Sequence, residues 1–418
     1  MKQMLKSFAA LLLLAFVATS CGGGEDGQLV GSQDRPSWKG INPYGMVYVG
    51  SGQLHIGPSD QDVSLTLLNR PKTISIQGFF MDDTEITNNE YRQFVDWVRD
   101  SMAHSLLDHF IEDEEGGQQI DWETEIDWET DKETLAELFY QGNDKFAGKQ
   151  ELDTRKMEFE YQWYDWQAAA HNHDASSSRT SFIRKDKVNI YPDTMVWIRD
   201  FSYSFNEPMT RNYFWHPAFD DYPVVGITWK QANAFCYWRT QLWNTYRGAG
   251  KGEVNSEDFR LPTEYEWEYA ARAGHATAPY PWGGYYTRNS KGCLLANFKP
   301  GRGNYPEDGG QYTVKADAYY PNDFGLYNMG GNVSEWTSSA WDPNATSFIH
   351  DLNPDNRFDA KDDDPEAYKL KVVRGGSWKD VAYYMQTGTQ ANEYQDTAKS
   401  YVGFRSVLTF LGRSMNDF

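Results

Sequence analysis

The twelve residues Gly325-Leu-Tyr-Asn-Met-Gly-Gly-Asn-Val-Ser-Glu335-Trp336 constrain the chain most, because no regular helix or strand tolerates so many glycines and amides among aromatic anchors. Gly325, Gly330 and Gly331 permit positive φ and close backbone approach. Asn328 and Glu335 offer hard oxygen donors, and carbonyls freed by an irregular path supply more, which are the parts of a calcium cage. The same residues also suit a tight turn capped by asparagine side chains, and the stretch alone leaves both readings open.

Its company is more specific. Upstream stand Met81-Asp-Asp-Thr-Glu-Ile-Thr-Asn-Asn-Glu-Tyr91, Val224-Val-Gly-Ile-Thr-Trp229, Phe259-Arg-Leu-Pro-Thr-Glu-Tyr-Glu-Trp-Glu-Tyr-Ala-Ala-Arg-Ala-Gly274 and Tyr280-Pro-Trp-Gly283. Downstream come Val373-Arg-Gly-Gly-Ser-Trp378 and Gly403-Phe-Arg405. In this order and spacing the set resembles the formylglycine-generating-enzyme (sulfatase-modifying factor) family over about residues 43–408. The resemblance implies one α+β domain, loop-rich and related to C-type lectin folds, with short strands, few helices and calcium for stability.

The N-terminus reads as an export signal over residues 1–20: Lys2 and Lys6, an apolar run from Phe8 to Val17, then Ala18-Thr-Ser-Cys21. The apolar run is too short to span a bilayer. The small residues before Cys21 resemble a lipobox, which implies cleavage there and covalent lipid on Cys21. Residues 21–40 are a Gly-rich polar tether, spanning roughly 25 Å as a flexible coil, and the domain occupies 41–418. Loss of Lys2 and Lys6 takes the net charge from −21 to −23. So acidic a chain argues against nucleic acid and anionic lipid as partners. Export permits a disulfide between the two remaining cysteines, Cys236 and Cys293, while Cys236 also suits a buried free thiol.

Aromatics make up 16 % of a chain whose mean hydropathy is −0.71, so rings rather than aliphatic stripes fill the core. Tyr44–Gly50 and Leu54–Gly57 read as a hairpin, and Lys72–Met81 as one alternating strand. Thr87 with Glu90, Thr228 with Gln231 and Thr263 with Glu266 are capping boxes opening three helices. Gly274 is a helix stop. Ala232, Phe235 and Cys236, and Trp267, Ala270 and Ala271, follow helical spacing as core positions.

An insertion at about 99–220 interrupts the family pattern. Its first half is acidic and carries tandem hexads, Ile120-Asp-Trp-Glu-Thr-Glu and Ile126-Asp-Trp-Glu-Thr-Asp. A charge run is ordinarily a solvated face, whereas Trp122 and Trp128 inside it also suit partner docking. Its second half, with Gln28-Leu-Val-Gly31 and Asn42-Pro-Tyr-Gly-Met46, is similar to the gliding-motility and type IX secretion lipoproteins of the GldK/PorK type, a structural branch of the family.

In the catalytic branch, two cysteines after the Arg-Gly-Gly-Ser motif bind copper(I), a soft ion that requires soft ligands. Counting on from Gly375, those positions hold Asp380 and Met385, and no cysteine follows Cys293. The resemblance therefore implies that copper oxidase chemistry is lost and that no catalytic residue remains. A related branch uses histidine-bound iron. The eight histidines here are scattered apart from His171 and His173, which read as solvent-exposed. The family's calcium positions are retained: Asn297, Phe298, Asp308 and Gly310 for one ion, and Asn328, Gly331, Val333 and Glu335 for another.

The expectation is a non-catalytic outer-membrane lipoprotein, its body in the periplasm. It would serve as a ring component of the type IX secretion and gliding machinery, alone or with a ring partner protein. A lectin-like binding module and an exported enzyme with altered chemistry are the alternatives.

Overall fold

The computed structural model describes residues 41–57, 70–112, 117–174, 176–203, 207–248, 255–301, 306 and 309–412. The export signal, Cys21 and the tether lie outside them, as does Asp308. Among the described residues no helix is long and apolar enough to cross a membrane.

The first strands correct the expected hairpin. β1 (Met46–Val49) and β2 (Gly52–Ile56) both form but do not pair with each other. The expected strand Lys72–Met81 likewise splits at Gln77-Gly78 into β3 (Lys72–Ile76) and β4 (Phe79–Asp82). β1 pairs antiparallel with β4, and β2 with β3, so the chain changes sheet at both breaks. Glycine permits each crossing: a Cβ on Gly52 would lie 2.2 Å from the Tyr269 hydroxyl, and one on Gly78 3.0 Å from that of Tyr48.

α1 (Asn88–Leu106) follows, with the Thr87–Glu90 capping box formed on both sides. The insertion supplies β5 (Phe110–Glu112), β6 (Gln118–Ile120), β7 (Glu158–Tyr164), α2 (Trp166–His171), β8 (Ile183–Asn189) and α3 (Val196–Asp200). Then come α4 (Trp229–Gly248), β9 (Phe259–Arg260) and α5 (Glu264–Arg272). Thr228 and Gln231 exchange backbone-to-side-chain bonds at the start of α4, and Thr263 and Glu266 do so at α5. α5 stops where the sequence places it: Ala273 is the C-cap (φ 44°) and Gly274 the left-handed C′ residue (φ 88°). β10 (Ser334–Ala340), β11 (Leu370–Arg374), β12 (Ala391–Tyr394), β13 (Val402–Gly403) and β14 (Val407–Thr409) complete the chain. Two four-stranded sheets result, ordered β1-β4-β14-β9 and β12-β11-β10-β13, with three two-stranded ribbons beside them.

The core is aromatic, as the composition requires. Tyr91 of α1 stacks on Phe235 of α4 at 5.6 Å and meets Phe94, Phe214 and Phe404 edge-on. A second core joins β2 and β3 to α5 through Leu54, Ile56, Ile74, Ile76, Tyr265 and Trp267. Cys236 is buried and Cys293 exposed, and both are free thiols. Burial pushes the Cys236 thiol up to about 12.

The insertion is built into the main core. Phe159 of β7 meets Phe94 at 5.2 Å, and Tyr161 stacks on Tyr237 of α4 at 4.7 Å. The two hexads adopt one turn twice: Asp121 accepts from the Glu123 amide and the Thr124 hydroxyl, and Asp127 does the same for Glu129 and Thr130. Their tryptophans turn back onto the protein. Trp122 stacks on Trp97 of α1 at 5.3 Å, and Trp128 lies under the Arg99 guanidinium at 5.4 Å. Much of their apolar area is thus covered by the chain itself, although Trp122 stays 47 % exposed.

The Tyr91 hydroxyl donates to the Ile190 carbonyl at 2.8 Å, tying α1 to the insertion. Tyr91→Phe leaves that buried carbonyl unpaired and is expected to cost about 1–3 kcal/mol. Denaturant unfolding of the two proteins checks this, with an unchanged midpoint as the contrary result.

Candidate functional site

The loop that leads into β10 owes its path to four left-handed residues: Gly325, Asn328, Asn332 and Gly331, with φ of 88°, 50°, 63° and 89°. Gly330 keeps a negative φ, so two asparagines do what the sequence assigned to a glycine. Gly331 is obligatory, because a Cβ there would lie 2.6 Å from the Asn297 carbonyl oxygen.

Glu335 and Arg405 anchor the loop's end, both fully buried. Arg405 donates Nε to Oε2 at 2.7 Å and Nη2 to Oε1 at 2.6 Å, and the Trp267 indole N–H also donates to Oε2 at 2.7 Å. The same guanidinium reaches the carbonyls of Asp82 and Tyr327.

A second hub was not legible as such. Asn332 donates Nδ2 to Glu85 at 3.0 Å and accepts at Oδ1 from the Val314 amide at 2.9 Å. Its backbone N–H donates to the Asn297 carbonyl at 2.8 Å, and its carbonyl accepts from Trp378 at 2.9 Å. Asn328 Nδ2 also donates to Glu85, at 3.2 Å, and to the Ala316 carbonyl at 2.8 Å. Burial pushes the Glu85 carboxyl up to about 8, against the opposing pull of Arg405. Glu85 stands within the Met81–Tyr91 motif, but only the fold brings it to the asparagines.

These contacts set how the two calcium sets fit an ion. In the second set, Asn328, Gly331, Val333 and Glu335 share the one loop. Its only carboxylate, Glu335, is already neutralised by Arg405, so an ion there would sit beside a buried guanidinium. In the first set, Asn297 donates Nδ2 to the Tyr312 carbonyl at 2.6 Å, and Gly310 packs against Val314 and that same carbonyl. The Phe298 side chain is buried with Tyr280, Leu294, Ala296 and Met385. Asn297 and Asn332 bring the two sets together.

Asp380 and Met385, which the resemblance sets at the catalytic branch's cysteine positions, are each held by contacts of their own. Asp380 accepts from the Ser377 hydroxyl at 2.5 Å, and burial holds its carboxyl above the usual range. Met385 is fully buried in the Tyr280–Phe298 cluster. Beside them Trp378 is stacked by two rings of the insertion, Phe201 at 5.5 Å and Trp197 of α3 at 6.2 Å. The insertion thus roofs the Arg-Gly-Gly-Ser-Trp turn. His171 and His173 are exposed, as expected. Among the described residues no cluster of three or more histidine, cysteine or acidic side chains is placed to hold a metal ion.

Calcium titration separates the sets. Were the first set to hold an ion, stability would rise by about 2.7 kcal/mol at a hundredfold excess over Kd, and the unfolding temperature would rise saturably with it. That rise is expected to vanish in Asn297→Ala and to persist in Asn328→Ala, each compared with its own chelated sample. A rise lost only in Asn328→Ala would place the ion on the second set.

A family profile, the Sulfatase-modifying factor enzyme 1-like domain, matches residues 35–410. The formylglycine-generating enzyme of Mus musculus is 35 % identical over 197 residues, 46 % of this chain and 45 % of that protein. Its counterpart in Thermomonospora curvata is 34 % identical over 196 residues, 44 % of this chain and 55 % of that one. Inactive C-alpha-formylglycine-generating enzyme 2 of Bos taurus is 33 % identical over 191 residues, 44 % and 50 % of the two chains. This chain spans about half the length of these relatives. PvdO from Pseudomonas aeruginosa superposes with a TM-score of 0.46 at 14 % identity, over 87 % of this chain and 94 % of its own. With the profile covering nearly the whole described structure, the chain belongs to the sulfatase-modifying factor domain family, whose members similar to it include both formylglycine-generating enzymes and an inactive relative.

Proposed function

We propose that this chain is a non-catalytic member of the family and works as a structural component of an exported assembly. The observation that carries the reading is the pair Asp380 and Met385. One is a hard carboxylate bonded to Ser377, and the other is a thioether sealed in an apolar cluster. Neither offers the thiolate that copper(I) chemistry needs. The roof that Trp197 and Phe201 lay over Trp378 fits the same reading, because it spends the motif's surface on packing.

The assembly we propose is the type IX secretion and gliding machinery. The protein is anchored to the outer membrane by lipid on Cys21 and holds its body in the periplasm. There it forms part of a ring, with further copies of itself or a partner protein. The support is the resemblance of the insertion and of the N-terminal address. Calcium, where bound, stiffens the loops around Asn297 and Asn328 and takes no part in chemistry.

Purification from native membranes through a C-terminal tag tests this. The expected outcome is a large ring containing the lipidated chain with stoichiometric partner, unchanged in Asp380→Ala. A monomer with no partner after gentle detergent extraction would refute it.

A further inference from the structure

α1 ends in a turn whose closing side-chain contact is polar where it is ordinarily apolar. Leu107 caps the helix, Asp108 takes the left-handed conformation (φ 60°), and the His109 amide returns to the His104 carbonyl at 3.0 Å. That bond is the closure of a Schellman turn, in which the side chains at the two ends normally meet as hydrophobic partners. Here the two ends are His104 and His109, with their Nδ1 atoms 3.1 Å apart. Aspartate enters the left-handed region less readily than glycine, so the turn leans on that contact.

The turn positions the front of the insertion. The His109 carbonyl accepts from the Asp121 amide at 3.1 Å. Trp122 meets His104 edge-on at 5.3 Å while it stacks on Trp97. His104 is buried and His109 half-buried. Parting the pair therefore loosens the first hexad turn from α1 and uncovers the facing surfaces of Trp97 and Trp122.

A bond between two imidazoles needs one ring to donate its N–H and the other to accept through a lone pair. One added proton is compatible with it, because the donor ring becomes imidazolium and still donates. Asp100, Asp121 and the negative end of the α1 dipole favour that single charge. A second proton removes the lone pair and sets two cations against each other at hydrogen-bond distance.

The charged groups acting on His104 are His109, Asp121 and Asp100, the last paired with Arg99 at 2.8 Å. Asp108 is exposed. Residues 132–138, also packed on this end of α1, meet Ala103 through Leu135 and Leu138 and leave Lys132, Glu133 and Glu137 exposed. Burial first, and His109 second, hold His104 below the ordinary imidazole value. The Thr124 hydroxyl holds the Asp121 carboxyl below the usual carboxylate range, so it stays charged as the histidines titrate.

We infer that His104 and His109 form an acid-sensitive latch on the end of α1, closed while at most one ring is charged and opened by the second proton, which releases the first hexad turn. The open form takes up a proton on His104 at about pH 6.5, as a free imidazole does, and the closed form only at lower pH. The latch is therefore at full strength above about pH 6.5 and weakens as pH falls below it. The inference is independent of the assembly proposed above.

Hydrogen exchange of the purified full chain, read by mass spectrometry from about pH 7.5 to about pH 5 and corrected for intrinsic rates, follows the amides of His109 and Asp121. Their protection is expected to fall by up to about tenfold per pH unit below about 6.5, while peptides of α4 keep theirs. A His104→Leu, His109→Leu double variant restores the apolar contact and should hold its protection across the range. A His104→Gln, His109→Gln double variant keeps a hydrogen-bonding pair with nothing to titrate and should do the same. Constant protection in the wild type, a loss shared equally by α4, or an unchanged loss in the variants overturns the latch.

Discussion

The structure depends on one buried ion pair. Arg405 leaves the end of β13 and places its guanidinium where β4, the Gly325–Trp336 loop and β10 converge. Its bidentate bond to Glu335 fixes the loop's exit, and its bonds to the carbonyls of Asp82 and Tyr327 fix the two neighbouring backbones. Tyr327 lies in irregular chain and Asp82 is the last residue of β4, so the arginine supplies donors to carbonyls where the ladder stops. Removing one partner of such a pair typically costs 3–5 kcal/mol, because the other charge is left buried.

The same device recurs behind the second sheet. Arg374 donates to Glu268 at 2.8 Å and to the Thr389 carbonyl at 3.0 Å, and Arg272 occupies the other oxygen of Glu268 at 2.7 Å. Arg239 grips Asp82 through both carboxylate oxygens. Motifs that look like a reactive centre in sequence, with glycines, acids and arginines close together, are thus mostly the joinery of a loop-rich fold. Positions 380 and 385, which the resemblance gives to the copper-binding cysteines, hold a hydrogen-bonded acid and a packed methionine.

Local rules were legible wherever a short-range device decides. The three capping boxes and the helical core positions of α4 and α5 follow from spacing, and the aromatic filling from composition. The β1–β2 hairpin was misread because pairing is decided at a distance: Gly52 and Gly78 send each strand to a different sheet, under Tyr269 and Tyr48. Of the candidate site, Glu335 and Asn328 stood out as oxygen donors, but their partners Arg405 and Glu85 lie 70 and 243 residues away in sequence. Asn332 was passed over, since its role as a hub exists only once residues 85, 297, 314 and 378 meet. The tryptophans of the hexads left a solvated face and a docking surface both open, because nothing local shows that Trp97 and Arg99 cover part of them.

The central claim is that architecture outlasted chemistry in this chain. Complementation tests it most directly, with secretion and motility measured in the native cell after the chromosomal copy is replaced by one carrying Asp380→Ala and Met385→Leu. The account predicts function equal to wild type at equal abundance. Loss of function in a variant that is folded, lipidated and normally abundant would show that these two positions still do chemistry.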